Sequence, residues 1–144
     1  LGIRSKYERK FLDEIESQLS KNKKAFLYKF YLDCFSQSDF DGLLWFKKNL
    51  LKDYCSTMKI NELISQLDYL SQAQIKPGSL AQFKKLRIFH GEKDIIAPFK
   101  EACEIKDNLP SADFINMAET GHMLFLSKNF KEIAEKILNN AAFS

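Results

Sequence analysis

Two short stretches of the chain carry residues that could do chemistry together. They are "FHGEKDIIAP", residues 89–98, and "AETGHMLFLS", residues 118–127. The second places His122, one of only two histidines in the chain, directly after Gly121. The first offers Asp94, in a loop that opens with His90 and Gly91 and closes on Pro98. A carboxylate that accepts a hydrogen bond from one imidazole nitrogen fixes the tautomer. It also favours the imidazolium formed when the other nitrogen takes a proton. Asp94 and His122 would then be an acid and a general base awaiting a nucleophile. Each has a blander reading alone: Asp94 as a turn or helix-capping aspartate ahead of Pro98, His122 as a turn residue. His90 reads as a residue that shapes the turn with Gly91.

The elements around the two loops support the joint reading. "LRIFHG" is a short apolar run ending in glycine, and "PFKEACEIKDNLP" begins on a proline and stops before another, as a helix does. "ADFINMA" is a second short apolar run, and "LFLSKNFKEIAEKILNN" reads as a final amphipathic helix with Phe130, Ile133, Ile137 and Leu138 on its inner face. Two strands joined by a helix predict a right-handed parallel crossover. In an open parallel sheet, ligands collect beyond the carboxyl ends of the strands, which is where both loops fall.

Upstream the texture is helical. Phe11, Ile15 and Leu19 form one stripe, Phe26, Phe30, Tyr31, Cys34 and Phe35 a second, and Ile60, Leu63, Ile64, Leu67 and Leu70 a third. About four helices are predicted, with breaks at "SKNK", "SQSDFDG" and "KDYCSTMKIN", and no alternation marks a strand before Leu70. Pro77 and Gly78 punctuate the chain. Residues 1–79 therefore read as a helical unit and residues 80–144 as an α/β unit. A two-stranded parallel sheet leaves unpaired edges, so further strands are expected outside the sequence.

The bulk properties set the class. A length of 144 residues with 45% hydrophobic and 13% aromatic content suffices for one core. No apolar run reaches the roughly 20 residues that span a bilayer, and no leader peptide opens the sequence, so a cytoplasmic protein without membrane contact is expected. The three cysteines, Cys34, Cys55 and Cys103, are odd in number and set in apolar or helical contexts, as reduced packing residues would be. The net charge of +3 lies wholly within residues 1–80. That is too little for nucleic-acid binding, but it suits an acidic protein partner. No metal or organic cofactor is implied.

The two loop motifs resemble the carboxyl-terminal part of the α/β-hydrolase family. Its strand-terminal "HGxxDxxxP" and later "GH" are matched by His90, Gly91, Asp94 and Pro98, and by Gly121 and His122. The order of acid before histidine agrees with that family. The resemblance implies that residues 1–79 are the inserted helical lid and residues 80–144 the last βαβα of the sheet. Within the family the lid is most similar to that of the BioH-type pimeloyl-acyl-carrier-protein methyl ester esterases of biotin synthesis, through "YKFYL", "FKKNLL" and the helix approaching "SQAQI". On that resemblance Lys29 would face an acyl carrier protein, and Phe26, Phe30 and Phe35 would line an acyl channel. Two further basic positions of that lid surface fall opposite apolar residues here. By residue type alone, Lys23, Lys24, Lys29, Lys47 and Lys48 read as a solvated face and the aromatic stripe as core.

One departure is large. No G-x-S-x-G occurs in the sequence, and "KPGSLAQ" lacks the second glycine. The glycine-rich oxyanion loop is also missing. The expectation is an α/β fragment: the latter part of a serine carboxylic-ester hydrolase that supplies Asp94 and His122 but no serine, and that is inactive without an amino-terminal half. Were a nucleophile present after all, Ser79 and Ser127 would be the first places to look. An aspartate nucleophile, as in dehalogenases, fits the same residues. A different class, a non-catalytic helical binding module with a degenerate hydrolase tail, is the alternative.

Overall fold

The computed structural model describes residues 3–4, 9–75, 80, 83 and 85–138. Helix α1 (Arg9–Asp33) is one element bent at Asn22, where the backbone turns extended at φ −157°, ψ 80°. The side-chain carbonyl of Asn22 accepts the backbone N–H of Ala25 at 3.0 Å, so the asparagine caps the second half of the helix. The break expected at "SKNK" is thus a kink rather than a loop. A 3-10 turn at Gln37–Asp39 leads into α2 (Phe40–Asn49), followed by α3 (Leu51–Thr57) and α4 (Ile60–Gln72).

The helices enclose a core of Leu19, Leu27, Tyr31, Cys34, Phe35, Phe46, Leu51 and Cys55. Phe46 sits at its centre, 1% exposed, with ring centroids of Tyr31, Phe35 and Tyr54 between 5.4 and 5.8 Å away. Its removal would leave a cavity ringed by rigid aromatics that cannot collapse into it. Phe46→Ala is therefore expected to cost about 3–5 kcal/mol, read as a lower urea midpoint at unchanged slope. At the start of α1 the buried residue is Leu12 rather than Phe11, while Ile15 and Leu19 face the core as expected.

Two corrections concern the strands and the last helix. Ile3–Arg4 (β1), in a stretch whose sequence reads as helical, pairs antiparallel with Gln74–Ile75 (β2), which lies beyond the helical stripes. Two-residue strands are too short to show any alternation. "LFLSKNFKEIAEKILNN" is also not one helix: Leu124–Leu126 form a 3-10 turn, and α6 (Phe130–Leu138) begins only at Phe130. Ser127 and Asn129 intervene, and the Ser127 carbonyl accepts the Phe130 N–H at 3.1 Å. Phe130 and Leu138 are largely exposed, not turned inward as the pattern suggests. Pro77, Gly78 and Ser79 lie outside the described residues.

The strand, helix and strand of the carboxyl-terminal part are present. β3 (Arg87–Gly91) and β4 (Asp113–Met117) pair in parallel, from Arg87 opposite Asp113 to Gly91 opposite Met117. Helix α5 (Phe99–Asn108) connects them, entered through Pro98. The chain is an α/β protein with a small parallel sheet. Among the described residues no helix is long and apolar enough to cross a membrane. Cys34 and Cys55 are buried and Cys103 half-buried, all as free thiols.

Candidate active site

In-register parallel pairing ends both strands at the same level, so the loops after Gly91 and Met117 leave the sheet side by side. The backbone binds them to each other. Glu92 N–H donates to Met117 O at 3.0 Å, and Lys93 N–H to Thr120 O at 2.9 Å. Their approach leaves no room for a side chain at the end of β3. A Cβ on Gly91 would lie 2.3 Å from Gly121 O and 2.4 Å from Thr120 O, both backbone atoms. This is the physical reason for glycine after His90.

The close approach brings Asp94 to His122. Asp94 Oδ2 accepts from His122 Nδ1 at 2.8 Å, and Oδ1 accepts the backbone N–H groups of Ile96 at 2.8 Å and Ala97 at 2.9 Å. The carboxylate is buried with both oxygens satisfied, whereas the His122 side chain is 43% exposed. A carboxylate only accepts, so Nδ1 carries the proton and Nε2 is left with its lone pair. Burial pushes the Asp94 carboxyl up. The hydrogen bonds from His122, Ala97 and Ile96, with the charge of His122, outweigh it and hold the group below its ordinary value. For His122 the hydrogen bond to Asp94 raises the pKa against the opposing effect of burial.

His90 is not hydrogen-bonded to this pair. Its Nδ1 is 2.9 Å from Gly91 O, its Nε2 is 3.8 Å from Asp94 Oδ2, and its ring meets Phe99 edge-on. The turn-shaping role read from the sequence agrees with this placement. Ser127 is buried and donates its hydroxyl to Leu124 O at 2.8 Å. That commitment disfavours it as a nucleophile.

The aromatic and basic positions expected to meet substrate lie on α1 or just beyond its end. Phe35 is buried in the helical core against Phe46, and Phe26 and Phe30 pack half-buried on that core. Lys29 is 76% exposed and ion-paired with Asp33 one turn on. Lys23 donates to the carbonyls of Ser56 and Met58, and Lys47 lies over the Tyr28 ring. The polar partner of Lys29 and the ring partners of Phe30 and Phe35 all belong to the helical layer, and Ile96 and Met123 from the two site loops pack on the same core.

Sequence reasoning missed the contacts that Cys34, Ser36 and Asp39 make with the loop carrying His122. The Gly121 N–H donates to Asp39 Oδ2 at 2.8 Å, the Met123 N–H to Cys34 O at 3.0 Å, and Ser36 Oγ to Glu119 O at 2.6 Å. A Cβ on Gly121 would fall 2.6 Å from Ser36 N and 2.7 Å from Cys34 O, so the glycine before His122 is required by a helix end and not by the turn. Ser36 and Asp39 form a capping box, whose serine and acid three residues on are visible in "SQSD". Nothing in that signal points to a loop far along the chain.

Fold and pair together define an α/β protein with an acid–histidine pair at the carboxyl edge of a parallel sheet. Over 99% of its length the chain superposes on an esterase (EaEST) from Exiguobacterium antarcticum, with a TM-score of 0.72 and 18% sequence identity. The likeness shows that the chain shares the fold of that protein, and it spans 54% of that protein's length. No family model matches the chain, and no curated protein matches its sequence.

Proposed function

We propose that the chain is the lid and carboxyl-terminal part of a serine carboxylic-ester hydrolase, with residues 1–79 as lid and an amino-terminal half supplying the serine and the oxyanion donors. The observation that carries the reading is the 2.8 Å bond between His122 Nδ1 and Asp94 Oδ2, which leaves Nε2 available as a base. In the complete enzyme the serine hydroxyl attacks the ester carbonyl while His122 takes its proton. His122 then protonates the departing alcohol, and Asp94 holds the ring and stabilises the imidazolium. The likeness to an esterase fold supports the reaction class.

The substrate proposed is the methyl ester of a carrier-protein-bound pimeloyl chain, with a cytoplasmic site of action. The support is the lid resemblance in "YKFYL" and "FKKNLL" together with the exposure of Lys29. A rim charge acts mainly on encounter with an acidic partner and is screened by salt. Lys29→Glu should therefore slow turnover of a carrier-protein ester several-fold while leaving a small aryl ester nearly unchanged, with the difference shrinking as salt rises. Equal losses on both substrates would remove the docking role.

Residues 1–144 alone should hydrolyse no short-chain aryl ester, because a base and its orienting acid lack nucleophile and oxyanion hole. Adding the upstream segment, in one chain or as a second piece, should give activity that His122→Ala abolishes. Esterase activity of the isolated 144 residues that disappears with His122→Ala would refute this division of the machinery.

A further inference from the structure

The loop that carries His122 is held from within its own layer, by Lys93, Asp94 and Asn129, and from the helical layer. Of residues 119–123, the Thr120 carbonyl is tied to the β3 loop. The Glu119 carbonyl and the N–H groups of Gly121 and Met123 all bond to residues 34–39. The two N–H anchors bracket His122 on either side. Glu119 has a φ of 57°, a left-handed conformation that a non-glycine residue adopts only when its surroundings enforce it. Without the anchors from residues 34–39, the N–H groups on either side of His122, at Gly121 and Met123, lose their acceptors.

Asp39 is the unusual member of the set. It is 1% exposed, and its Oδ2 accepts the N–H groups of Gly121 and Ser36 and lies 2.8 Å from Ser36 Oγ. Its Oδ1 is equally buried and has no hydrogen-bond partner. A carboxylate taken out of water with one oxygen unsatisfied is costly for folding, and an apolar side chain of similar volume would be cheaper. What the carboxylate supplies and an apolar residue could not is the acceptor for Gly121 N–H. Backbone position at residue 121 sets where the His122 ring can reach.

We propose that Asp39 is the positioning residue for His122, so that docking of the α1–α2 turn onto the loop after β4 is a condition for the Asp94–His122 geometry. This rests on the acid–base reading of that pair. The helical layer then serves the chemistry directly as well as covering it.

The test is the titration of the His122 ring, followed by NMR in the 144-residue chain. In the unaltered chain its midpoint should lie above the ordinary histidine value of about 6.5. Asp39→Ala should bring it back towards that value with the fold retained, and Asp39→Asn, which keeps an acceptor for Gly121 N–H, should recover most of the shift. In the complete protein Asp39→Ala should lower kcat about 10- to 100-fold with KM within about twofold, as expected when a catalytic base is displaced by a fraction of an ångström. Should Asp39→Ala fail to fold, Gly121→Ala reads the same contact from the other side, since its Cβ pushes the loop off Ser36 and Cys34, and the same downward shift is expected. A midpoint that stays raised in Asp39→Ala or in Gly121→Ala overturns the proposal even if thermal stability falls. An unraised midpoint in the unaltered chain overturns the pair reading and this proposal together, whereas loss of activity in His122→Ala with full activity in Asp39→Ala overturns this proposal alone.

Discussion

His122→Ala in the complete protein is expected to lower kcat for an aryl ester by about 10⁶-fold, the scale seen when the base of a serine hydrolase triad is removed. Among the described residues, His122 Nε2 has no hydrogen-bond partner while a buried carboxylate holds Nδ1, and the structure brings no other imidazole into that relation. His90 cannot substitute. Its Nε2 is 3.8 Å from the same carboxylate oxygen and its ring lies against Phe99. KM should change little, since a proton-transfer group contributes chiefly in the transition state. The measurement is steady-state kinetics against a preparation carrying both Asp94 and His122 replacements as a contamination control. A loss smaller than about 100-fold would place the base elsewhere, because general-base catalysis alone contributes at least that much.

Asp94→Asn comes second in size, at about 10⁴-fold in kcat, because an amide in place of the carboxylate can present its NH2 to the ring and invert the tautomer. The pH profile gives an independent readout. The hydrogen bond to Asp94 raises the pKa of His122, so activity, which needs the neutral ring, should climb with pH through a midpoint above about 6.5. In Asp94→Asn that midpoint should fall. The signs for stability follow from linkage. His122, raised in the folded state, contributes stability that is present below its unfolded value and lost as pH rises through its folded value. Asp94, lowered in the folded state, contributes stability present above its unfolded value and lost as pH falls through its folded value. The pair therefore adds most between about pH 4 and 6.5.

How far these features could be read from the sequence depends on the range of the interaction behind each one. β3, α5 and β4 are local, bounded by Gly91, Pro98 and Pro110, and the parallel crossover follows from their order. The meeting of Asp94 with His122 follows in turn, because in-register parallel strands deliver their ends to one edge. The kink at Asn22 and the turn at "SQSD" are also local, and both breaks fall where polar residues compete for backbone hydrogen bonds. By contrast, β1 and β2 are two residues each and join positions 3–4 to 74–75, too brief for any periodicity. The anchoring of Gly121 by Asp39 spans 82 positions and uses a single side-chain acceptor, so it leaves no pattern to find. The burial of Phe35 is likewise a packing outcome. Its helical stripe looks the same whether it faces a core or an acyl chain.

Labelling the complete gene product with a fluorophosphonate and mapping the modified peptide by mass spectrometry tests most directly whether Asp94 and His122 serve a serine nucleophile outside these 144 residues. The expected result is one adduct, on a serine preceding Leu1, formed at a rate that His122→Ala reduces by orders of magnitude. An adduct on Ser79, Ser127 or any other serine of the chain, a labelling rate indifferent to His122→Ala, or no adduct at all would contradict it.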